Sequence, residues 1–399
     1  MTAPANDDAT DAAVPSRSGG LGRAGLLVVP VAAIVVLVLE WGRDLPTWLA
    51  LLTGLVLAAT VLVGVHHAEV VAHRVGEPTG SLVLAISVTV IEVGLIVSVM
   101  SSGKPGSDTL ARDTVFAAVM ITLNGIVGIC LVVASLRTRV VRFTPEGAGA
   151  ALAAVTTLAV LSLVLPTLTT SAAGPVFTGA QLAFAAVTSL VVWLLFVGMQ
   201  TRRHREWFDE RADIAAASEA IAEGDEGAAT VALDAVADDN ADETTPTARE
   251  AWRAFVLLCL SLVAVIGLAK VLSPTLERQV VDAGLPLTVV GVVIALLVLL
   301  PETLTAVRAA RRGRVQQSFN LAYGSAMASI GLTIPVLAVA SALGLVGQLA
   351  LGLRPSDIAL LAVTVAVSIL TVAPGKVTLL QGSLHLSILG GYLVLAAYP

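Results

Sequence analysis

Two glutamates stand inside otherwise apolar runs, Glu92 in AISVTVIEVGLIV and Glu302 in ALLVLLPETLTAV. Of the 29 acidic residues, 14 fall between positions 206 and 250, three in the first 23 positions, and ten in loops or at the ends of apolar segments, which leaves this pair. A charged side chain at mid-bilayer costs about 3 kcal/mol even on mild insertion scales, so it usually faces a cavity or a partner and carries function. The surrounding residues are hard oxygen donors. Thr89 lies three before Glu92 and Thr305 three after Glu302, each on the face of its glutamate. Pro301 directly precedes Glu302, and a helix-interior proline frees the carbonyl four residues back, here Leu297. Asn124, Asn320 and Ser325 add neutral oxygens, and Asn320, Gly324, Ser325, Ala328, Gly331 and Pro335 form a small, polar stripe on one segment. With no clustered Cys or His, the chemistry points to Ca2+, Mg2+ or an alkali cation rather than zinc or copper. Two carboxylates that repel each other hold either one metal or protons, which is the basis of an exchange reaction.

The elements that must position these groups are membrane helices. The chain has 399 residues, 56% apolar and 13% charged, with a mean hydropathy of +0.91; soluble domains carry about 25% charge. A soluble globular protein is excluded. Eleven segments are long and apolar enough to span about 30 Å of hydrocarbon: 24–40, 47–67, 78–100, 113–136, 147–169, 177–200, 252–272, 285–308, 316–343, 355–373 and 378–398. The expected fold is an all-α polytopic membrane protein. Placing the N-terminus in the cytoplasm puts 17 of the 23 basic residues inside and six outside, as the positive-inside rule requires, with the C-terminus outside. Residues 1–23 read as a disordered cytoplasmic tail, 24–46 as a first helix and loop, and 201–251 as an acidic, largely disordered cytoplasmic linker. The formal charge of -6 therefore hides a basic body: once residues 206–250 and the three acids of the tail are set aside, 21 basic residues face 12 acidic ones.

The linker separates five spans (47–200) from five more (252–399). An odd number per half makes homologous halves enter the membrane from opposite faces, the inverted-repeat arrangement of secondary transporters. The sequence carries a trace of that repeat. Asn124-Gly-Ile-Val-Gly128 and Asn320-Leu-Ala-Tyr-Gly324 share one spacing in the third helix of each half, and the glutamates occupy the second.

The stretches Gly76–Ser98, Pro301–Arg311 and Gln316–Pro335 resemble the two alpha-repeat regions of the calcium/cation antiporter superfamily, particularly bacterial ChaA-type calcium/proton antiporters. The resemblance covers both halves. It implies an eleven-helix exchanger of a bacterial cell membrane, with an acidic central linker, that exports Ca2+, and in some members Na+ or K+, for H+. Glu92 and Glu302 stand at the positions of the repeat glutamates. The Gly-Asn-x-x-Glu form of many members is absent: Val88 and Val298 stand four before each glutamate, Thr89 and Leu299 three before. The reading is a transporter without cofactors whose partners are lipids and inorganic cations, not nucleic acid, with a monovalent cation/proton antiporter as the alternative. An intramembrane hydrolase using Ser325 and His385 has no GxSxG or HExxH pattern behind it, and a channel would leave the paired acids unexplained. Cys130 and Cys259 read as packing residues, and His385 as a hydrogen-bonded one. His66, His67 and His73 with Glu69 and Glu77 cluster at the cytoplasmic end of the second span, as an interfacial helix end or a proton-handling site.

Overall fold

The computed structural model describes residues 22–76, 79–100, 107–208 and 246–399. The tail before residue 22, the linker between 209 and 245, and Glu77 lie outside the described residues. The helices, in chain order, are α1 (Arg23–Glu40), α2 (Thr47–Val75), α3 (Thr79–Met100), α4 (Leu110–Ser135), α5 (Pro145–Leu168), α6 (Gly179–Arg203), α7 (Ala248–Asp282), α8a (Thr288–Val298) with α8b (Leu300–Arg311), α9 (Val315–Ala342), α10 (Pro355–Val372) and α11 (Leu379–Ala397). Eight of them are long and apolar enough to cross a bilayer, a ninth is α8a and α8b bent by 53°, and Ala24–Glu40 and Ala85–Met100 are shorter apolar helices. The chain is a multi-pass membrane protein. Its only strands among the described residues are β1 (Val141–Arg142) and β2 (Lys376–Val377), an antiparallel pair that ties the α4–α5 loop to the α10–α11 loop.

Local chemistry sets the helix ends. Capping boxes start three helices, Thr178 with Gln181 on α6, Thr247 with Glu250 on α7 and Thr378 with Gln381 on α11. Pro145 and Pro355 open α5 and α10, where the missing N–H would have had no partner. The bend in α8 falls at Leu299, between the two helical pieces and just before Pro301. Side chains along one face of α1, among them Val28, Val31, Val35 and Val38, are more than half exposed, as a lipid-facing surface is. Trp41, Trp48 and Trp252 are exposed within a few residues of helix ends, where amphipathic rings anchor at the bilayer interface.

Packing relates the two sets of five helices. α2 lies along α7; α3 packs on α9 as α8a packs on α4; α4 packs on α11 as α9 packs on α6. When the two sets are exchanged helix for helix, the α2–α7 contact maps onto itself and the others interchange. The equivalence is incomplete, because α3 packs closely on both α2 and α7 while α8 only touches them.

Several acids assigned to helix ends by sequence are there but buried. Asp113 pairs with Arg112 at 2.7 Å, and Arg112 also donates to the Gly352 carbonyl. Asp357 pairs with Arg354 at 2.9 Å, and Glu40 accepts from Thr53. Cys130 is buried as expected, whereas Cys259 is exposed on α7 and does not pack in the core.

The two Asn-x-x-x-Gly spacings are used differently. A Cβ on Gly128 would lie 3.1 Å from the Gly382 carbonyl oxygen, and one on Gly382 would lie 3.0 Å from the Gly128 carbonyl oxygen, so α4 and α11 meet backbone to backbone. Gly324 has nothing within 4 Å of a built Cβ. Gly382→Val is therefore expected to cost about 1–3 kcal/mol through overpacking and to lower the Tm of detergent-solubilised protein, while Gly324→Ala leaves it unchanged. Equal melting of the two variants would contradict this packing.

Candidate functional site

Glu92 faces inward from the middle of α3 and is 4% exposed. Its Oε1 accepts a 2.5 Å hydrogen bond from the Ser329 hydroxyl of α9. Thr333, one turn further along α9 and fully buried, brings a second hydroxyl close to the same carboxylate. Around Glu92 lies an enclosed cavity walled by Val88 and Thr89 of α3, Ala118 of α4, Val298 and Leu299 at the α8 bend, and Ser325 and Ser329 of α9. Its volume, about 10 Å³ to the centre of a water-sized sphere, is room for about one water. The helices that wall it are those of the two equivalent contacts, α3 on α9 and α8a on α4. The site lies at the seam between the halves.

Glu302 follows Leu299 by one helical turn and is half-buried. No donor among the described residues reaches its buried Oε2. Its ionisable neighbours are carboxylates, Glu69 and Glu92. A buried carboxylate oxygen without a donor is an exception that calls for a role. The Leu299 amide still bonds to the Ala295 carbonyl, and the Leu299 carbonyl takes the Thr303 amide and hydroxyl, so the bend at Pro301 is held in place. Among the described residues no three His, Cys, Asp or Glu side chains converge on one point. A cation here would use the two glutamates with neutral hydroxyls and carbonyls.

Thr89 and Ser325 are brought together with Glu92 around the cavity. Thr305 is half-buried on α8b, one turn past Glu302, and Pro335 lies within α9 beyond Ser329. Asn124 and Asn320 are turned elsewhere. Asn124 sits in a π-helical turn of α4 (Ile121–Ile126), donates to the Thr364 hydroxyl at 3.0 Å and pairs through Oδ1 with Nδ1 of His385 at 3.2 Å. Because Oδ1 only accepts, Nδ1 of His385 carries the proton, and its Nε2 accepts from Thr371 at 3.1 Å. Asn320 donates to the Phe208 carbonyl at 2.8 Å and accepts from Gln316, whose amide also reaches the Trp207 carbonyl. The root of the linker is thus seated on α9. His385, committed to Thr371 and Asn124, makes no pair with Ser325.

Ser329 and Thr333 are the site residues that sequence reasoning passed over. The signal was the i, i+4, i+8 run Ser325, Ser329, Thr333, which puts three hydroxyls on one face of α9.

The family model described as sodium/calcium exchanger protein matches residues 44–202 and 253–398. The chain belongs to this family. The exchanger is 43% identical over 376 residues to the putative ionic transporter y4hA of Sinorhizobium fredii, covering 93% of this chain and 95% of that protein. It is 32% identical over 374 residues to the sodium-potassium/proton antiporter ChaA of Escherichia coli, covering 92% and 94% respectively. In fold it is similar to the H+/Ca2+ exchanger CAX, with a TM-score of 0.61 at 13% identity over 94% of this chain and 91% of that one. The family is one of cation exchangers, which are transporters and not enzymes.

The Ser329 hydroxyl donates to Glu92 across the seam. A hydrogen bond to a charged group contributes about 1.5–3 kcal/mol. Ser329→Ala in this exchanger is expected to raise the KM for the transported cation about tenfold or more, with Ser329→Thr restoring most of it. Flux titrations on reconstituted protein check this, and an unchanged KM in Ser329→Ala would count against it.

Proposed function

We propose that this exchanger carries Ca2+ out of the cytoplasm in exchange for external H+ by alternating access, with Glu92 and Glu302 as ligands that the cation and the proton share. The observation that carries the proposal is the absence of any basic partner, among the described residues, for two carboxylates closed in between the halves. A carboxylate withdrawn from water is costly to keep charged and alone. One divalent cation between two carboxylates cancels both charges, and protonation does the same. The two occupants exclude each other, so a site that opens to one side at a time exchanges them. Thr89, Thr305, Ser325 and Ser329 offer neutral oxygens. Asn124 and Asn320 support the site through the helices they hold.

The two five-helix sets are read as inverted repeats, an arrangement in which rocking of one half against the other exposes a central site alternately. The contacts that interchange between the sets support this. The distribution of basic residues supports a cytoplasmic N-terminus and an external C-terminus, in a bacterial cell membrane. A second reading, exchange of Na+ or K+ for H+, is favoured by the similarity to the Escherichia coli sodium-potassium/proton antiporter. Mg2+ is the less suitable divalent ion, because it sheds its water reluctantly.

Inside-out membrane vesicles acidified in their lumen test the proposal. Added Ca2+ is expected to drive proton release in the wild type, and the KM for Ca2+ to rise as pH falls, since protons and cation compete for the same oxygens. Glu92→Gln and Glu302→Gln are each expected to abolish release. Release that survives both substitutions would rule out the shared-ligand mechanism, and release driven by Na+ or K+ but not Ca2+ selects the second reading.

A further inference from the structure

Glu69 neighbours Glu302 without lining the cavity. It sits on α2, six residues before the helix ends at Val75, with its side chain 43% exposed and the Nδ1 of His66 at 3.9 Å. Its other charged neighbours among the described residues are His73, on the same helix, and Arg308 of α8b. α2 and α8b touch. Glu302, on α8b, has both Glu69 and Glu92 as ionisable neighbours. Glu69 and Glu302 are both partly buried, and Glu92 beyond them is 4% exposed at the cavity. The buried Oε2 of Glu302, which lacks a donor, is the step between.

We infer that Glu69 is a delivery carboxylate, which captures the metal cation at the mouth where α2 and α8b end and passes it to Glu302 without belonging to the transported site. This rests on the cation/proton exchange proposed above. A half-solvated carboxylate beside a more buried one concentrates cations there, and it gives up little hydration in doing so. His66, His73 and Arg308 keep it from holding them. Arg308 and any protonated histidine compete with a bound cation, so the cation moves inward, where two carboxylates without basic partners bind it more strongly. On the orientation proposed above, this mouth is cytoplasmic.

The test compares Glu69→Gln and Glu69→Asp in full-length protein, in inside-out and in right-side-out vesicles. Glu69→Gln is expected to raise the KM for Ca2+ about fivefold when Ca2+ is added from the Glu69 side, the effect of one half-solvated charge, with the maximal rate retained. Glu69→Asp should restore the KM, added salt should narrow the difference, and Ca2+ added from the opposite side should see no change. An unchanged KM from both sides overturns the proposal, as does a loss of maximal rate from both sides like that of Glu302→Gln. A change confined to right-side-out vesicles keeps the delivery role and reverses the orientation. A wild type that moves no protons in response to any cation sinks the exchange reading itself, whatever the Glu69 variants do.

Discussion

A carboxylate shut away from water has to be answered by something, and in this protein the answer for Glu92 is a hydroxyl from the other half of the molecule. The 2.5 Å bond from Ser329 to Glu92 joins α3 to α9. Around that contact the remaining arrangement follows. Small residues at Thr89, Ala118, Ala295, Ser325 and Ala328 leave the only space the cavity has, and the α8 bend brings Leu299 to its wall. Larger side chains there would fill the volume a cation needs. Straightening α8 would carry Glu302 away from the seam. The site is a property of how two sets of helices meet, and neither set holds it alone.

Much of the fold could be read from hydropathy, because a bilayer forces backbone hydrogen bonds to close within each apolar segment. All eleven expected spans coincide with helices or with the bent pair. What hydropathy could not give is where the helices end. α2 continues to Val75 through His66, His67, Glu69, His73 and Arg74, and α7 runs from Ala248 to Asp282, well past its apolar stretch. These ends are polar because they leave the hydrocarbon, and they stay helical because their neighbours pack on them: His67, for instance, bonds to the Leu26 carbonyl of α1. The β1–β2 pair was invisible for a similar reason, being two residues on each side of loops that tertiary packing brings together.

The site was legible only where burial is expensive. Glu92 and Glu302 stand out because charge in an apolar run has no cheap structural explanation. Ser329 does not stand out, since a serine in a membrane helix can return its proton to a carbonyl one turn back, as Ser87, Thr122 and Ser261 do here. Its role is set by what lies opposite. The two asparagines make the converse point. Asn124 and Asn320 share a spacing with a following glycine, yet one completes a buried chain with His385 and Thr364 while the other seats the Phe208 carbonyl. A shared spacing does not fix a shared use.

The buried acids divide by partner, and the division separates scaffold from site. Asp113 and Asp357 lie at the ends of α4 and α10 beside Arg112 and Arg354, charge-balanced within the chain itself. A buried ion pair of this kind is strongly disfavoured from losing one member, since the other charge would be left alone in a poor solvent. Such groups keep one occupant permanently. Glu92 has a hydroxyl and Glu302 has other carboxylates, and neither has a basic side chain to balance it among the described residues. On the proposed mechanism their charge is met by a cation or proton that arrives from outside and can leave again. In the exchange proposed above, the same desolvation that would make these glutamates a defect in a static membrane protein is what would let a mobile cation and a proton take turns there.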